Sequence, residues 1–264
     1  MNSVSTREVC AWIASTLDVS SFSDYCPNGL QVEGKARVSH IIAGVTASQA
    51  LIEIAIARGA DALLVHHGWF WKGEDPCVLG TRKKRLAQLL AHDINLLAYH
   101  LPLDAHPTLG NNAQLANVLG LVATRSTPET ENAPGRVQTT GPGNLVWLGT
   151  MPGAGTLGEV AARVHTALGR VPLIIGDASM PVQRIAWCTG AAQNMLDDAI
   201  VAGAQVFITG EISEPVVHLA RESGVGFISA GHHATERYGV KALGDAVGRA
   251  FDIRVEFIDI DNPV

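Results

Sequence analysis

Two histidines stand side by side at the end of an apolar run, Ala60-Asp61-Ala62-Leu63-Leu64-Val65-His66-His67-Gly68. Paired imidazoles are poor core material, and neighbouring strand residues point to opposite faces, so the two rings can serve two centres. Two further fragments repeat the theme: Tyr99-His100-Leu101-Pro102-Leu103-Asp104 and Gly231-His232-His233-Ala234-Thr235-Glu236. Each follows an apolar run and carries a carboxylate four residues after a histidine. Imidazole and carboxylate together suit zinc, iron, manganese or cobalt, and one carboxylate can bridge two such ions. The expected chemistry is that of a two-metal site built from His66, His67, Asp104, His232 and Glu236.

Each residue also has a plainer reading. Asp104 can cap a turn, and Glu236 can be an acid favoured at a helix N-terminus. His100 is read either as a direct ligand or as a group that moves protons beside the metals. Glu211, in Ile208-Thr209-Gly210-Glu211, is placed to orient or deprotonate a water, or else to cap the next segment. His106 and His233 are read as bystanders. Pro102 biases its neighbour away from helix, so a strand-end turn is expected to carry the chain from His100 to Asp104. His232 and Glu236 fit one face of the first turn of a helix running through Ala242–Ala250.

These groups need elements to hold them, and the pattern is alternating strand and helix. Ser39–Val45, Asp61–Val65 and Asn95–His100 read as strands; Ser48–Arg58, with Gly59 beyond it, and Arg82–Ala91 read as helices. A helix near Leu157–Leu168 and strands near Arg184–Trp187 and Gln205–Ile208 follow. Interleaving of this kind implies βαβ units and a largely parallel sheet, with ligands gathered beyond the carboxyl ends of the strands. The halves resemble each other: Gln49, Ala55-Ile56 and Gly59-Ala60 align with Gln193, Ala199-Ile200 and Gly203-Ala204, and His100 and Asp104 with His232 and Glu236. The expectation is two interlinked, mutually similar α/β lobes. One comprises residues 1–127 plus 231–264, the other 128–230, with the metals in the cleft between them. The turn-rich stretch 126–144 is read as an extended or hairpin crossing between lobes.

The first half carries extra residues after His67, in Gly-Trp-Phe-Trp-Lys-Gly-Glu-Asp-Pro-Cys-Val-Leu-Gly at 68–80. A loop beside the metals is expected, with Trp69 or Trp71 able to stack on a planar ligand or, alternatively, to pack an interface. Lys72 and Arg82 are candidate phosphate contacts. The cluster Arg82-Lys83-Lys84-Arg85 opens a helix, where positive charge opposes the macrodipole; an anionic substrate or nearby Glu and Asp would offset it.

Composition narrows the class. The 264 residues are 47% hydrophobic and 17% charged, with a formal net charge of −6, which disfavours nucleic acid as a partner. The four cysteines (Cys10, Cys26, Cys77, Cys188) show neither a C-x-x-C nor a zinc-ribbon spacing. No apolar stretch approaches the roughly 18 residues that span a bilayer, and residues 1–15 lack a signal-peptide layout, so a cytoplasmic location is expected.

Taken together, Tyr25-Cys26-Pro27-Asn28-Gly29-Leu30-Gln31-Val32-Glu33-Gly34, His66-His67-Gly68, His100-Leu101-Pro102-Leu103-Asp104, Thr209-Gly210-Glu211 and Gly231-His232-His233-Ala234-Thr235-Glu236 resemble the Nif-three-like family, also called GTP cyclohydrolase 1 type 2 homologs. The likeness runs from about residue 5 to the C-terminus. It implies two interlinked α/β lobes, a dinuclear centre on His66, His67, Asp104, His232 and Glu236, with Glu236 touching both ions, and a ring-shaped homohexamer. The leading expectation is a metal-dependent hydrolase acting on a nucleotide-like substrate, nominally GTP, through metal-activated water. A two-metal phosphoesterase and a non-catalytic metal-binding ring or scaffold are the alternatives.

Overall fold

A computed structural model describes residues 2–126 and 135–264. Contacts divide the chain into one unit of residues 1–110 and 237–261 and another of 111–236 and 262–264, where the sequence reading drew its boundaries at 127/128 and 230/231. The helix Asn111–Leu119 belongs with the second unit for a specific reason. Asn112 is fully buried there, donating to the Leu145 carbonyl at 3.0 Å and accepting from the Thr189 amide at 3.1 Å. Within 126–144, residues 127–134 lie outside the described residues; beyond them come a short strand, Thr139–Thr140, and a 3₁₀ turn, Pro142–Asn144.

The first unit is built on a five-stranded sheet in the order Arg254–Phe257, His40–Thr46, Ala62–His67, Asn95–Ala98, Gly29–Val32, parallel except for the last strand. Parallel strands buried on both faces read as continuous apolar runs, and 62–65 is such a run. Leu64 packs with Ile41, Ala43 and Leu97 on one face, against Val9, Ile13, Val240, Leu243 and Val247. Leu63 and Val65 pack on the other with Ile42 and Leu96, against Leu51, Ile52, Ala55 and Leu89. The helix Gln49–Ala57 starts where Ser48 accepts a hydrogen bond from the Leu51 amide, and Gly59 follows its end at φ +63°; a side chain there would be strained.

The passage from His100 to Asp104 differs from expectation. It is a one-turn helix, Leu101–Ala105, with Pro102 in its opening positions. Proline is tolerated there because the first helical N–H groups have no intrahelical partner to lose.

The second unit has a seven-stranded mixed sheet. Its centre is parallel: Ile185–Trp187, Val206–Thr209 and Gly226–Ser229. Leu173–Ile175 flanks it antiparallel on one side; Val146–Thr150, then Val122–Ala123, extend it on the other. Large aromatics fill the core, Phe207 edge-on to Phe227 at 5.7 Å and Trp187 against Trp147 at 5.9 Å. The helix Leu157–Leu168 begins with a reciprocal Thr156–Glu159 capping box and ends at Gly169, φ +72°. The helix His232–Phe251 contributes its first turn, through Glu236, to this unit and its remainder to the first. Among the described residues, no helix is long and apolar enough to cross a membrane.

Candidate metal centre

In the first unit the strand Ala62–His67 delivers its two terminal histidines to the carboxyl end of the parallel sheet. His66 is fully buried, and its ring lies 4.5 Å from that of His67 and 5.0 Å from that of His100. One ring nitrogen from each of the three histidines can be chosen so that all lie within 4.8 Å of one another. The short helix turns Asp104 inward, where its Oδ1 lies 3.5 Å from His66 Nε2. Four-coordinate zinc with ligands at 2.0–2.1 Å would hold two donor atoms about 3.3 Å apart, so this pair is spaced as two ligands of one ion.

The outer nitrogens show how these rings are aimed. His66 Nδ1 meets the Tyr99 carbonyl at 2.9 Å, His67 Nδ1 pairs with the Thr46 hydroxyl at 3.2 Å, and His100 Nδ1 meets Asp24 Oδ1 at 2.8 Å. Nδ1 is engaged in all three rings, so Nε2 is the nitrogen that can serve as a metal donor. Metal-binding histidines are oriented by such outer partners, which also set the tautomer. A second grouping, Asp24 with Cys26 and His100, suits a metal poorly. Burial, and then the charge of Asp24, push the Cys26 thiol up to about 12, and a thiol must ionise to ligate.

The second unit repeats the device. His232 and Glu236 stand four apart on the first helical turn, as their spacing predicts, with His232 Nε2 at 3.1 Å from Glu236 Oε2. His232 Nδ1 meets Glu211 Oε1 at 2.7 Å. Glu211 thus sits at the outer edge of the His232 ring. Burial acts to lower the His232 pKa, but the adjoining Glu236 and Glu211 outweigh it and raise it to about 9.

Backbone closeness makes the Glu236 position possible. Gly190, φ +69°, has no side chain, and a Cβ there would lie 2.1 Å from Glu236 Oε1. At Gly210 a Cβ would lie 2.6 Å from the His232 Cα. The turns are laced together: the Gly210 amide donates to the Gly190 carbonyl at 2.8 Å, and the Gly190 amide to the Thr235 hydroxyl at 3.0 Å.

The loop after His67 separates the other candidates. Trp69 is buried in the core with its indole N–H on the Ala47 carbonyl at 3.1 Å. Trp71 is half-buried, 4.9 Å from His100 and 6.1 Å from His67. Lys72 is exposed, and its amide donates to the Tyr25 carbonyl. Arg82 is engaged by the Glu74 carboxylate and the Asp75 carbonyl of the same loop, the local offset foreseen for the basic helix start. The bystander His106 caps a turn, accepting from the Leu109 amide at 2.9 Å. His233 is buried, its backbone amide bonded to the Val264 carbonyl.

Asp24, Asn28, Thr46 and Gly190 escaped the sequence reading as site residues. Asp24 and Asn28 lie within or beside the Tyr25–Gly34 motif, whose density of turn formers was their only signal. Nothing in the local sequence ties Gly190 to Glu236.

Two α/β units, each with imidazole and carboxylate at the carboxyl ends of parallel strands, define a class of protein able to hold metal ions. Comparison with known proteins makes the class particular. The profile of the Duf34/NIF3 (NGG1p interacting factor 3) family matches residues 4–263, and the chain belongs to that family. A Pseudomonas aeruginosa protein named GTP cyclohydrolase 1 type 2 homolog is 54% identical over 247 residues, 94% of each chain. An Escherichia coli K12 protein of the same name is 51% identical, covering 95% of this chain and 96% of its own. Among solved structures, protein ybgI, described as of unknown function, superposes with TM-score 0.90 at 48% identity, covering 99% of this chain and 100% of its own. A Thermus thermophilus protein superposes at 0.82 with 34% identity, with the same coverage.

Proposed function

We propose that this protein is a dinuclear-metal-dependent hydrolase acting on a nucleotide-like substrate, with His66, His67, Asp104, His232 and Glu236 as its metal ligands. The observation that carries the reading is the shared orientation of the imidazoles. His66, His67 and His232 each have Nδ1 engaged by an outer group, which supports Nε2 as the nitrogen that would ligate. The first unit carries His66, His67 and Asp104, and the second carries His232 and Glu236. Two divalent ions of zinc, iron, manganese or cobalt would supply hydroxide at neutral pH and polarise the attacked group. The names of the relatives support a cyclohydrolase reaction on GTP.

The protein's own groups divide the remaining tasks. Glu211 holds His232 in its ligating orientation. Trp71 offers a half-buried aromatic face to a base, and Lys72 an exposed ammonium to phosphates. Trp69 and Arg82 are committed to the core and to Glu74, and leave the binding role to those two. A ring-shaped homohexamer is part of the same proposal. Exposed Tyr25, Leu79, Val171 and Leu173 are apolar surface suited to subunit contact, and native mass measurement tests it.

Elemental analysis of protein purified without added metal, paired with a nucleotide panel, tests the function. Release of formate from GTP is the expected product of ring opening; phosphate release would instead mean phosphoesterase chemistry. Glu236→Gln should abolish metal loading and turnover while the fold is kept. Full activity in metal-free protein would refute the proposal.

A further inference from the structure

Asp24 is a deeply buried carboxylate of the first unit. Its side chain is 3% exposed, and four donors converge on it. Oδ1 takes the Tyr25 amide at 2.6 Å and His100 Nδ1–H at 2.8 Å; Oδ2 takes the Asn28 side-chain amide at 2.8 Å and the Leu101 amide at 2.9 Å. Asn28 in turn accepts from the His100 backbone amide at 2.7 Å. Trp71 stands perpendicular to the His100 ring, at 89°. The ring is therefore fixed at its Nδ1 edge, at its backbone and on one side, while its other edge is left to meet His66 and His67.

We propose that Asp24 is a positioning residue: it locks His100 in the Nδ1–H tautomer, so that the Nε2 lone pair faces the His66–His67 pair and receives a hydrogen of the solvent molecule held there. The consequence for solvent rests on the metal-centre reading above; the tautomer does not. A carboxylate is the one group suited to this place, because it accepts at every lone pair and donates nowhere. With Asp24→Asn the amide must turn its NH₂ toward one pair of donors. Turning it toward Asn28 and Leu101 opposes the Leu101 N–H and forces Asn28 to give up its bond to His100. Turning it toward His100 and Tyr25 opposes one backbone N–H and is satisfied by a histidine that moves its proton to Nε2. The second arrangement costs less, and it reverses the tautomer.

The test begins with ¹⁵N-labelled metal-free protein, with the His100 ring signals assigned by their loss in His100→Gln. Long-range ¹H–¹⁵N spectra of the wild type should show a protonated Nδ1 and a bare Nε2, and Asp24→Asn should show the reverse. Loaded with zinc, Asp24→Asn should keep its metal content while kcat for GTP falls about 10–100-fold, the usual cost of losing a partner outside the ligand shell, with KM little changed. A proton on Nε2 in the wild type, in either the neutral or the doubly protonated ring, overturns the proposal, and this result needs no variant to fold. So does an Asp24→Asn protein that keeps the wild-type tautomer. Absence of GTP turnover by the wild type would count against the hydrolase reading alone, since the spectra are read without metal or substrate.

Discussion

Gly190 and Asp24 do at single positions what the proposed metal ligands cannot do for themselves. Gly190 clears the space in which the Glu236 carboxylate sits. Gly190→Ala forces an ordinary side chain into left-handed backbone, at a cost of about 1–2 kcal/mol, and its Cβ meets Glu236 Oε1. The expected outcome is a folded protein that loses most of its zinc on dialysis, measured by elemental analysis against wild type. Asp24 carries a pH signature as well. Burial alone would raise its pKa, but hydrogen bonds from the His100 ring and Asn28, and then from the Tyr25 amide, outweigh it and hold the carboxyl at about 2, below its ordinary 3.8. A carboxyl depressed in the folded state contributes stability that is complete above the unfolded value and is lost as pH falls through the folded one. Acid denaturation of the metal-free protein between about pH 4 and pH 2 should therefore be shallower in Asp24→Ala than in wild type. Equal slopes would show that folding does not depress the Asp24 carboxyl. The sequence displayed the histidines and their carboxylates openly. It could not display Asp24 as their neighbour, because the bond to His100 joins residues far apart in the chain.

At the scale of the element, local chemistry decides where segments start and stop. Ser48→Ala removes the hydroxyl that accepts the Leu51 amide, and should destabilise the fold by about 1 kcal/mol while leaving metal content intact. Leu64→Ala, in the middle of a strand buried on both faces, should cost about 2–5 kcal/mol by chemical denaturation. A Leu64→Ala protein as stable as wild type would mean that the core around His66 relaxes freely. The strand before His66, the helix after Ser48 and the helix Leu157–Leu168 were legible because period, cap and breaker agree there. The turn after His100 was not. Pro102 signals a break in general, but at a helix start the same ring is harmless, and only its actual position distinguishes the two cases. The strand Leu173–Ile175 gave no signal, since its placement depends on pairing with Gly226–Ser229.

For the molecule as a whole, the metal reading predicts a linkage. Ions that bind only the folded protein stabilise it by mass action, about 2.7 kcal/mol when free metal is 100 times its Kd. Calorimetry should therefore show the thermal transition rising with added zinc and falling back with chelator. A transition indifferent to both would contradict the proposed ligand set. What the chain determined by itself is the inventory: alternating strands and helices, histidine–carboxylate pairs at strand ends, and a motif set specific enough to place the family. Those properties repeat with the period of the backbone or sit within a few residues of each other, so they survive in one dimension. The tertiary structure alone decided which nitrogen each imidazole presents, which tryptophan is spent on the core, that Glu211 serves His232, and that Asp24 and Gly190 belong to the site. Each of those is a contact between segments remote in sequence, made only when folding brings their backbones within hydrogen-bonding distance.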